Sequence, residues 1–185
     1  MAIIKQQSNH NGIQTFGYTD NESINQSMYF ERSLTLDSIV VDFSTVFSDP
    51  TENIEIKCQV RRGFKSDNRL NLNSSIVDQS AWYEDGAISV GLFSFVFNGL
   101  TLLSGHYWFT ILTNQKCCPN EFSLRLYRGG EFQGKFIKII NGSGIYRIDQ
   151  SLKFEINGSW IGSISENRTF EHDIYTTTTL KDTMT

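Results

Sequence analysis

Apolar and polar residues alternate with a period of two along much of the chain, and this pattern predicts strands. The clearest runs lie at residues 34–43, 54–60, 93–97, 107–111, 122–127 and 152–156. Every second side chain is apolar in these runs, as expected of strands with one buried face, and the first run consists of two such stretches, Leu34–Leu36 and Ile39–Phe43. Gly, Asn, Asp and Ser separate the runs and favour turns, among them Asn98-Gly99 and Asn157-Gly158. The pattern predicts an all-β fold in which two antiparallel sheets pack as a β-sandwich.

The two ends of the chain lack this alternation. Residues 1–23 are rich in Gln, Asn and Ser, and residues 159–185 include Thr176-Thr-Thr-Thr179. We therefore expect an N-terminal arm over residues 1–23 and a C-terminal arm over 159–185, flanking a sandwich domain over 24–158. In an assembly, such arms can extend and pair with the sheet edge of a neighbouring subunit.

Length, composition and charge exclude several classes of protein. The 185 residues are enough for one domain with a core, and 14 Phe argue against a disordered chain. A net charge of -4 lacks the basic excess that neutralises a phosphate backbone, so nucleic-acid binding is not expected. No apolar run approaches the roughly 18 residues of a membrane span. The first residues lack the features of a secretory signal peptide, so synthesis in the cytoplasm is expected.

No group of residues in the sequence is typical of an enzyme. Histidine occurs only at His10, His106 and His172, in unrelated contexts. The Gly-Ser-Gly within residues 141–144 does not follow the nucleophile-elbow pattern and fits a hairpin turn. No glycine-rich phosphate loop is present. We therefore expect a non-enzymatic protein without a cofactor.

The three cysteines predict neither a disulfide framework nor a metal site. Cys58 lies on the apolar side of the 54–60 run, where a buried core thiol is expected. Cys117 and Cys118 are adjacent in a predicted turn, and no third ligand lies at zinc-binding spacing. We assign no metal site: zinc is not expected, and Asp85, Asn98 and Asp149 could contribute calcium ligands but show no calcium-loop pattern.

One polar segment carries the strongest candidate binding residues. Trp82 and Tyr83 are followed by Glu84 and Asp85 between two predicted strands. Aromatic rings can stack on sugar faces while neighbouring acids bind hydroxyl groups, so these four residues predict a site for a glycan or a protein partner. One alternative is that Trp82 covers the sandwich edge beneath a loop. Another is that both aromatic residues lie in a subunit interface.

A short basic group lies at the end of the 54–60 run. Arg61 and Arg62 precede Gly63, with Lys65 and Arg69 nearby. Because the group is short and includes Asp67, a solvated loop or salt bridges between subunits are the favoured interpretations.

Three segments of the chain carry motifs of a known domain. The first begins with Ile24-Asn-Gln-Ser-Met-Tyr-Phe30, the second is residues 100–112 with Ser-Gly-His-Tyr-Trp-Phe, and the third is residues 144–158. Together they resemble a bacterial jelly-roll domain of the choice-of-anchor type, which also occurs in bacteriophage virion proteins. Two positions depart from its pattern: His106 replaces the usual Thr, and Tyr146 replaces the usual Trp. In the second motif, Trp108 is expected to close the sandwich end or pack across a sheet rather than bind a ligand.

This resemblance implies a jelly-roll sandwich and a structural, non-enzymatic role in a bacteriophage virion, as a capsid decoration, fibre or tail appendage. The implied partners are other virion proteins, further copies of the chain and a host surface glycan. The surface-anchored members carry a signal peptide and a sorting tail, which the sequence lacks, so a virion location is expected. The alternative is a carbohydrate-binding module of a bacterial cell-surface or injection-system protein. A glycan-degrading enzyme is a third hypothesis.

Overall fold

The computed structural model describes residues 2–16, 22–46, 54–63, 76–84, 87–114, 122–128, 136–140, 143–147 and 150–162. These residues form fourteen strands, and no helix among them is long and apolar enough to cross a membrane. The strands are β1 (Ala2–Gln7), β2 (Gly12–Phe16), β3 (Ser23–Phe30), β4 (Leu34–Thr45), β5 (Glu55–Arg62), β6 (Ile76–Gln79), β7 (Tyr83–Glu84), β8 (Gly91–Leu102), β9 (Gly105–Thr113), β10 (Phe122–Arg128), β11 (Phe136–Ile140), β12 (Ser143–Arg147), β13 (Gln150–Leu152) and β14 (Phe154–Trp160).

The first sheet is built around the 12-residue strand β4. Strand β8 pairs along one edge of β4, while β14 and then β10 follow one another along the other edge. Strand β1 pairs with β14, and both β2 and β13 pair with β10. All these pairings are antiparallel, so the long alternating run at residues 34–43 becomes the strand that organises the sheet.

The second sheet has the order β12-β11-β3-β9-β5. The short strands β6 and β7 both pair with the outer edge of β5, and every pairing is again antiparallel. The strands β3, β9 and β5 are therefore direct neighbours, which matters for the site described below.

The core lies between the two sheets. Buried apolar side chains from both sheets form one cluster, which includes Phe43, Phe95, Leu124, Ile56, Val60 and Phe109. One polar side chain also crosses this interior: Gln26 Oε1 in the second sheet accepts a hydrogen bond of 3.0 Å from the Leu152 N–H in the first. The predicted all-β sandwich of two antiparallel sheets is confirmed.

Part of the chain assigned to arms belongs to the first sheet. Residues 2–7 and 12–16 form β1 and β2, which pair with β14 and β10. Most of their side chains are only half-buried or exposed, so a clean apolar alternation is not required of them. Residues 163–185 of the predicted C-terminal arm lie outside the described residues.

Two predicted turns lie inside strands instead. Asn98 and Gly99, with φ of 50° and 80°, form a bulge within β8. One residue separates Leu36 from Ser38 in β4, whereas three residues separate their pairing partners in β8. The Asn-Gly pair therefore absorbs the extra length of β8 without ending the strand. Gly158 is buried within β14, which continues to Trp160.

Candidate functional site

A cleft opens at one end of the second sheet, where β3 and β5 end and β9 begins. Its volume is about 470 Å³. The residues that line it are Tyr29, Arg62, Gly63, Ser104, Gly105, His106 and Tyr107. Three adjacent strands and the β8–β9 connection therefore contribute to one concave surface.

The β8–β9 connection forms one wall of the cleft and passes from the first sheet to the second in two residues. Strand β8 ends at Leu102, and β9 begins at Gly105. Gly105 has a φ of 148°, which a residue with a side chain rarely adopts. The Tyr107 hydroxyl donates a hydrogen bond of 2.9 Å to the Leu103 carbonyl oxygen. This corner is therefore fixed by the predicted Ser-Gly turn and by the tyrosine that follows it.

An aromatic pair lies beside the corner. Tyr29 of β3 and His106 of β9 are directly opposite each other in the antiparallel register. Their ring centroids are 4.7 Å apart, with an angle of 41° between the planes. Because 45% of Tyr29 remains exposed, the pair offers a ring surface to a ligand.

Close backbone packing holds His106 in place from the other side. The Gly63 N–H donates a hydrogen bond of 2.8 Å to the His106 carbonyl oxygen. A Cβ at Gly63 would lie 3.0 Å from the His106 Cβ and 3.1 Å from its carbonyl carbon and oxygen, so glycine allows this approach. The His106 Nδ1 atom is buried and has no hydrogen-bond partner among the described residues. Packing against Tyr29 and Gly63 therefore positions the imidazole.

Arg62 gives the cleft its charge. It is exposed and is the charged residue among the described lining residues. No carboxylate of the described residues forms an ion pair with it. Its neighbour Arg61 differs: burial lowers the pKa of Arg61, and its guanidinium donates a hydrogen bond of 2.8 Å to Gln59 Oε1. The register pairs Arg61 with Trp108 and Arg62 with Tyr107, so the two arginine side chains leave β5 on opposite faces of the sheet. Arg62 lines the cleft from the face of Tyr107, opposite to that of Tyr29 and His106.

The outward face of β9 continues beyond His106 with buried polar side chains. Trp108 and Thr110 lie on this face, because Tyr107, Phe109 and Ile111 point into the core cluster. Trp108 is fully buried, and 4% of Thr110 is exposed. Neither Trp108 Nε1 nor Thr110 Oγ1 has a hydrogen-bond partner among the residues that the structure describes. Trp108 therefore packs on the outer face of the second sheet.

The predicted Trp82 site lies elsewhere on the second sheet, beside β5. Trp82 is 37% exposed, and the Lys57 Nζ atom lies 4.1 Å from its ring centroid. Burial and then the nearby Arg61 charge lower the pKa of Lys57. Glu84 is exposed at the end of β7, and Asp85 lies outside the described residues. The Trp82 ring therefore already has a cation as a partner.

Tyr83 has a structural role. Its ring makes edge-to-face contacts with Phe93 at 5.0 Å and with Phe95 at 5.8 Å. Its hydroxyl accepts a long hydrogen bond of 3.5 Å from the Val96 N–H. Tyr83 therefore connects β7 of the second sheet to β8 of the first.

The described residues contain no group of three or more His, Cys, Asp or Glu side chains that could hold a metal ion. The lining of the cleft includes a tyrosine with an exposed ring, a serine, a histidine and an arginine, which are residue types that can bind a polar ligand.

Three residues of the cleft were not among the predicted site residues. Arg62 was assigned to a solvated loop or a subunit contact, and His106 was noted only as a departure from a motif. Tyr29 is one residue of the first motif. Their proximity depends on the pairing of β3, β9 and β5, and no spacing within the sequence indicates it.

Comparison with known proteins supports the fold. No protein-family model and no curated protein matches the chain. Among solved structures, the chain is similar to the cysteine protease and lectin-like domains of Cwp84, a surface layer associated protein of Clostridium difficile. The match has a TM-score of 0.52 and 8% identity, and it covers 80% of this chain and 36% of that chain. The chain thus spans well under half of the structure that it matches, and the likeness at this identity concerns the fold alone.

Proposed function

We propose that this protein is a carbohydrate-binding β-sandwich whose binding site is the cleft formed by Tyr29, Arg62 and His106. One observation carries the proposal: an exposed tyrosine ring is held against a histidine in the lining of a cleft that exposed polar residues also border. Binding at this site requires no chemical step, so the proposed function is non-enzymatic.

The chemistry of the cleft matches that of a sugar. A sugar ring has apolar C–H faces that can stack on Tyr29, and hydroxyl groups around its edge that need hydrogen-bond partners. Ser104 and Arg62 are exposed lining residues whose side chains carry hydrogen-bonding groups of this kind. The cleft volume of about 470 Å³ lies within the range of about 300–1,000 Å³ that is common for ligand pockets.

The structural neighbour lends support of a more general kind. The matched structure of Cwp84 includes lectin-like domains, and Cwp84 is a protein associated with a surface layer. Fold similarity by itself does not imply shared function, so the proposal depends on the cleft rather than on this likeness.

The cleft is a better candidate than the Trp82 segment for two reasons. The exposed ring of Tyr29 contacts another ring at a tilt, whereas the Trp82 ring has the Lys57 ammonium over it. In addition, Tyr83 makes contacts that join the two sheets, and a ligand would have to disrupt them.

A structural role in a bacteriophage virion stays a prediction from the resemblance of the three sequence motifs. The expected virion partners and self-association also stay predictions. A virion appendage that binds a host surface glycan would unite that role with the proposed one.

Binding of a glycan array tests the proposal. We expect the wild-type protein to bind at least one glycan, and Tyr29→Ala to weaken that binding by about tenfold or more, since central aromatic contacts dominate binding energy. Trp82→Ala tests the competing site, and Tyr127→Ala on β10 of the first sheet is a matched control. Both should bind as wild type does. Absence of any bound glycan, or equal binding by Tyr29→Ala and wild type, would refute the proposal.

A further inference from the structure

We propose that two copies of the chain associate through the free edge of β8, with the two β8 strands antiparallel and Ser94 on the two-fold axis. The proposal is independent of the proposed glycan site, because Ser94 and its neighbours are not among the residues that line the cleft. It assigns a surface and a partner to the self-association that the sequence resemblance implies.

One edge of β8 has no partner among the strands that the structure describes. In an antiparallel sheet, alternate residues of a strand direct their N–H and C=O groups toward the same neighbour. The Val96 N–H points away from β4, because it donates to the Tyr83 hydroxyl. The register from Leu92 to Val96 is regular, so the backbone groups of Leu92 and Ser94 also point away from β4 and can pair with another strand.

The side chains beside this edge are apolar or small and carry no charge. Leu92 and Val96 lie on the outer face of the first sheet, since Phe95 between them points into the core cluster. They are 59% and 45% exposed, and Ser94 is also exposed. Charged residues and prolines commonly block a free sheet edge, but residues 87–105 contain neither. This edge is therefore open to a further strand.

The sequence of the edge is symmetrical about Ser94, which favours a second copy of the chain as the partner. When Ser94 lies opposite the partner's Ser94, Leu92 lies opposite the partner's Val96, so the exposed apolar side chains of the two copies meet on the outer face. The same register brings the Leu92 carbonyl oxygen to the N–H of the partner's Val96. The hydrogen bond to Tyr83 that this contact replaces is 3.5 Å long, beyond the usual range of about 2.7–3.2 Å. Because the edge is uncharged, two identical copies meet without repulsion.

The size of the contact sets the expected affinity. Strand β8 has 12 residues, and the bulge at Asn98 and Gly99 ends its regular part. One side of a standard interface has roughly 20–30 residues, so β8 supplies about half of that or less. We therefore expect a dissociation constant in the micromolar range, about 1–100 µM. The two-fold axis closes the assembly at two copies.

Sedimentation velocity of the full chain over a range of concentrations tests the proposal. Ser94→Lys places two like charges beside the axis, and Thr101→Lys, at an exposed position of β8 beyond the bulge, is the matched control. We expect wild type and Thr101→Lys to dimerise with similar dissociation constants, and Ser94→Lys to weaken the dimer by about tenfold or more. Thermal melting by circular dichroism shows whether each variant is folded.

Disulfide cross-linking tests the register without adding a charge. Residues that exchange hydrogen bonds across an antiparallel pair have Cα atoms about 5.5 Å apart, a distance that a disulfide spans. Under mild oxidation, Ser94→Cys should form covalent dimers. Thr101→Cys, whose two copies would lie far apart on opposite sides of the axis, should form no more than wild type, which controls for the natural cysteines.

Three results would overturn the proposal. The first is a wild-type chain that stays monomeric at concentrations well above about 100 µM. The second is equal association of wild type and folded Ser94→Lys, or no more cross-linking of Ser94→Cys than of Thr101→Cys, since either would place the contact elsewhere. The third is growth beyond dimers, which would show an open contact instead of a two-fold one. If Ser94→Lys does not fold, the cross-linking result decides.

Discussion

At the scale of single residues, one buried carboxylate holds three strands together. Asp42 on β4 is 2% exposed, and its two oxygens accept bonds of 2.7 Å from Arg125 Nη1 and 2.6 Å from Lys153 Nζ. Arg125 belongs to β10, and Lys153 lies between β13 and β14. These ion pairs therefore stabilise the point along β4 at which its pairing changes from β14 to β10. A surface ion pair would contribute little, but a buried one is costly to break.

We expect Asp42→Ala to lower the free energy of unfolding by about 2–4 kcal/mol, because both cations lose a buried partner. The cost stays moderate since Arg125 and Lys153 are partly exposed and can regain water. Urea denaturation measures it, with Asp37→Ala on the same strand as control. Asp37 is half-buried and outside these ion pairs, so its loss should cost under about 1 kcal/mol. Equal costs for the two variants would contradict this account of Asp42.

The thiol of Cys58 makes stability depend on pH in the alkaline range. Cys58 is fully buried on β5, and burial raises the pKa of its thiol far above the ordinary 9.0. Above pH 9.0 the unfolded chain releases this proton while the folded chain keeps it. The stabilisation is therefore fully present below pH 9.0 and decreases as the pH rises above it, by about 1.4 kcal/mol per pH unit.

Comparison with Cys58→Ala isolates this effect, because all other titrating groups are common to the two proteins. The free energy of unfolding of wild type should fall more steeply with pH above 9.0 than that of Cys58→Ala. Parallel curves across this range would show that the thiol is accessible to solvent or ionises in the folded protein.

At the scale of the elements, the pairing of β14 with β4 depends on a glycine. A Cβ at Gly158 would overlap the Thr35 carbonyl oxygen of the neighbouring strand. The register between the strands shifts between Asn157 and Gly158, and β14 nevertheless continues to Trp160. The Asn-Gly pair therefore permits close approach of two backbones within a sheet, where the sequence alone suggested a turn.

We expect Gly158→Ala to destabilise the protein by about 1–3 kcal/mol, since the added methyl group must displace backbone rather than a flexible side chain. The end of β14 should loosen first. Amide hydrogen exchange of Ile161, whose N–H donates to the Ser33 carbonyl oxygen at 2.9 Å, reports this directly. Ser159→Ala, an exposed position on the same strand, is the control. Unchanged protection of Ile161 in Gly158→Ala would contradict the close-packing explanation.

At the scale of the whole molecule, the sequence predicts the strands of the sandwich better than its site. Strands with alternate burial were predicted, such as β14 with its buried Phe154 and Ile156, because alternate burial leaves a visible period in the sequence. Strands β1 and β2 were not predicted, because their side chains are mostly half-buried or exposed and show no alternation of apolar and polar residues.

The cleft could not be predicted for a different reason. Tyr29, Arg62 and His106 come from three segments that become neighbours only through the pairing of β3, β9 and β5. Local sequence does not specify which strands pair, so prediction relied on residues adjacent in the chain, such as Trp82 and Tyr83. In the structure these two neighbours make unrelated contacts, one with Lys57 and the other with β8.

The most direct test of the proposed site is an NMR titration of the wild-type protein with an oligosaccharide that binds it. The account predicts that the backbone amides that shift are those of Tyr29, Arg62, Gly63 and residues 104–107, which surround the cleft. Shifts centred on residues 82–84, or spread over the first sheet with none at the cleft, would contradict it.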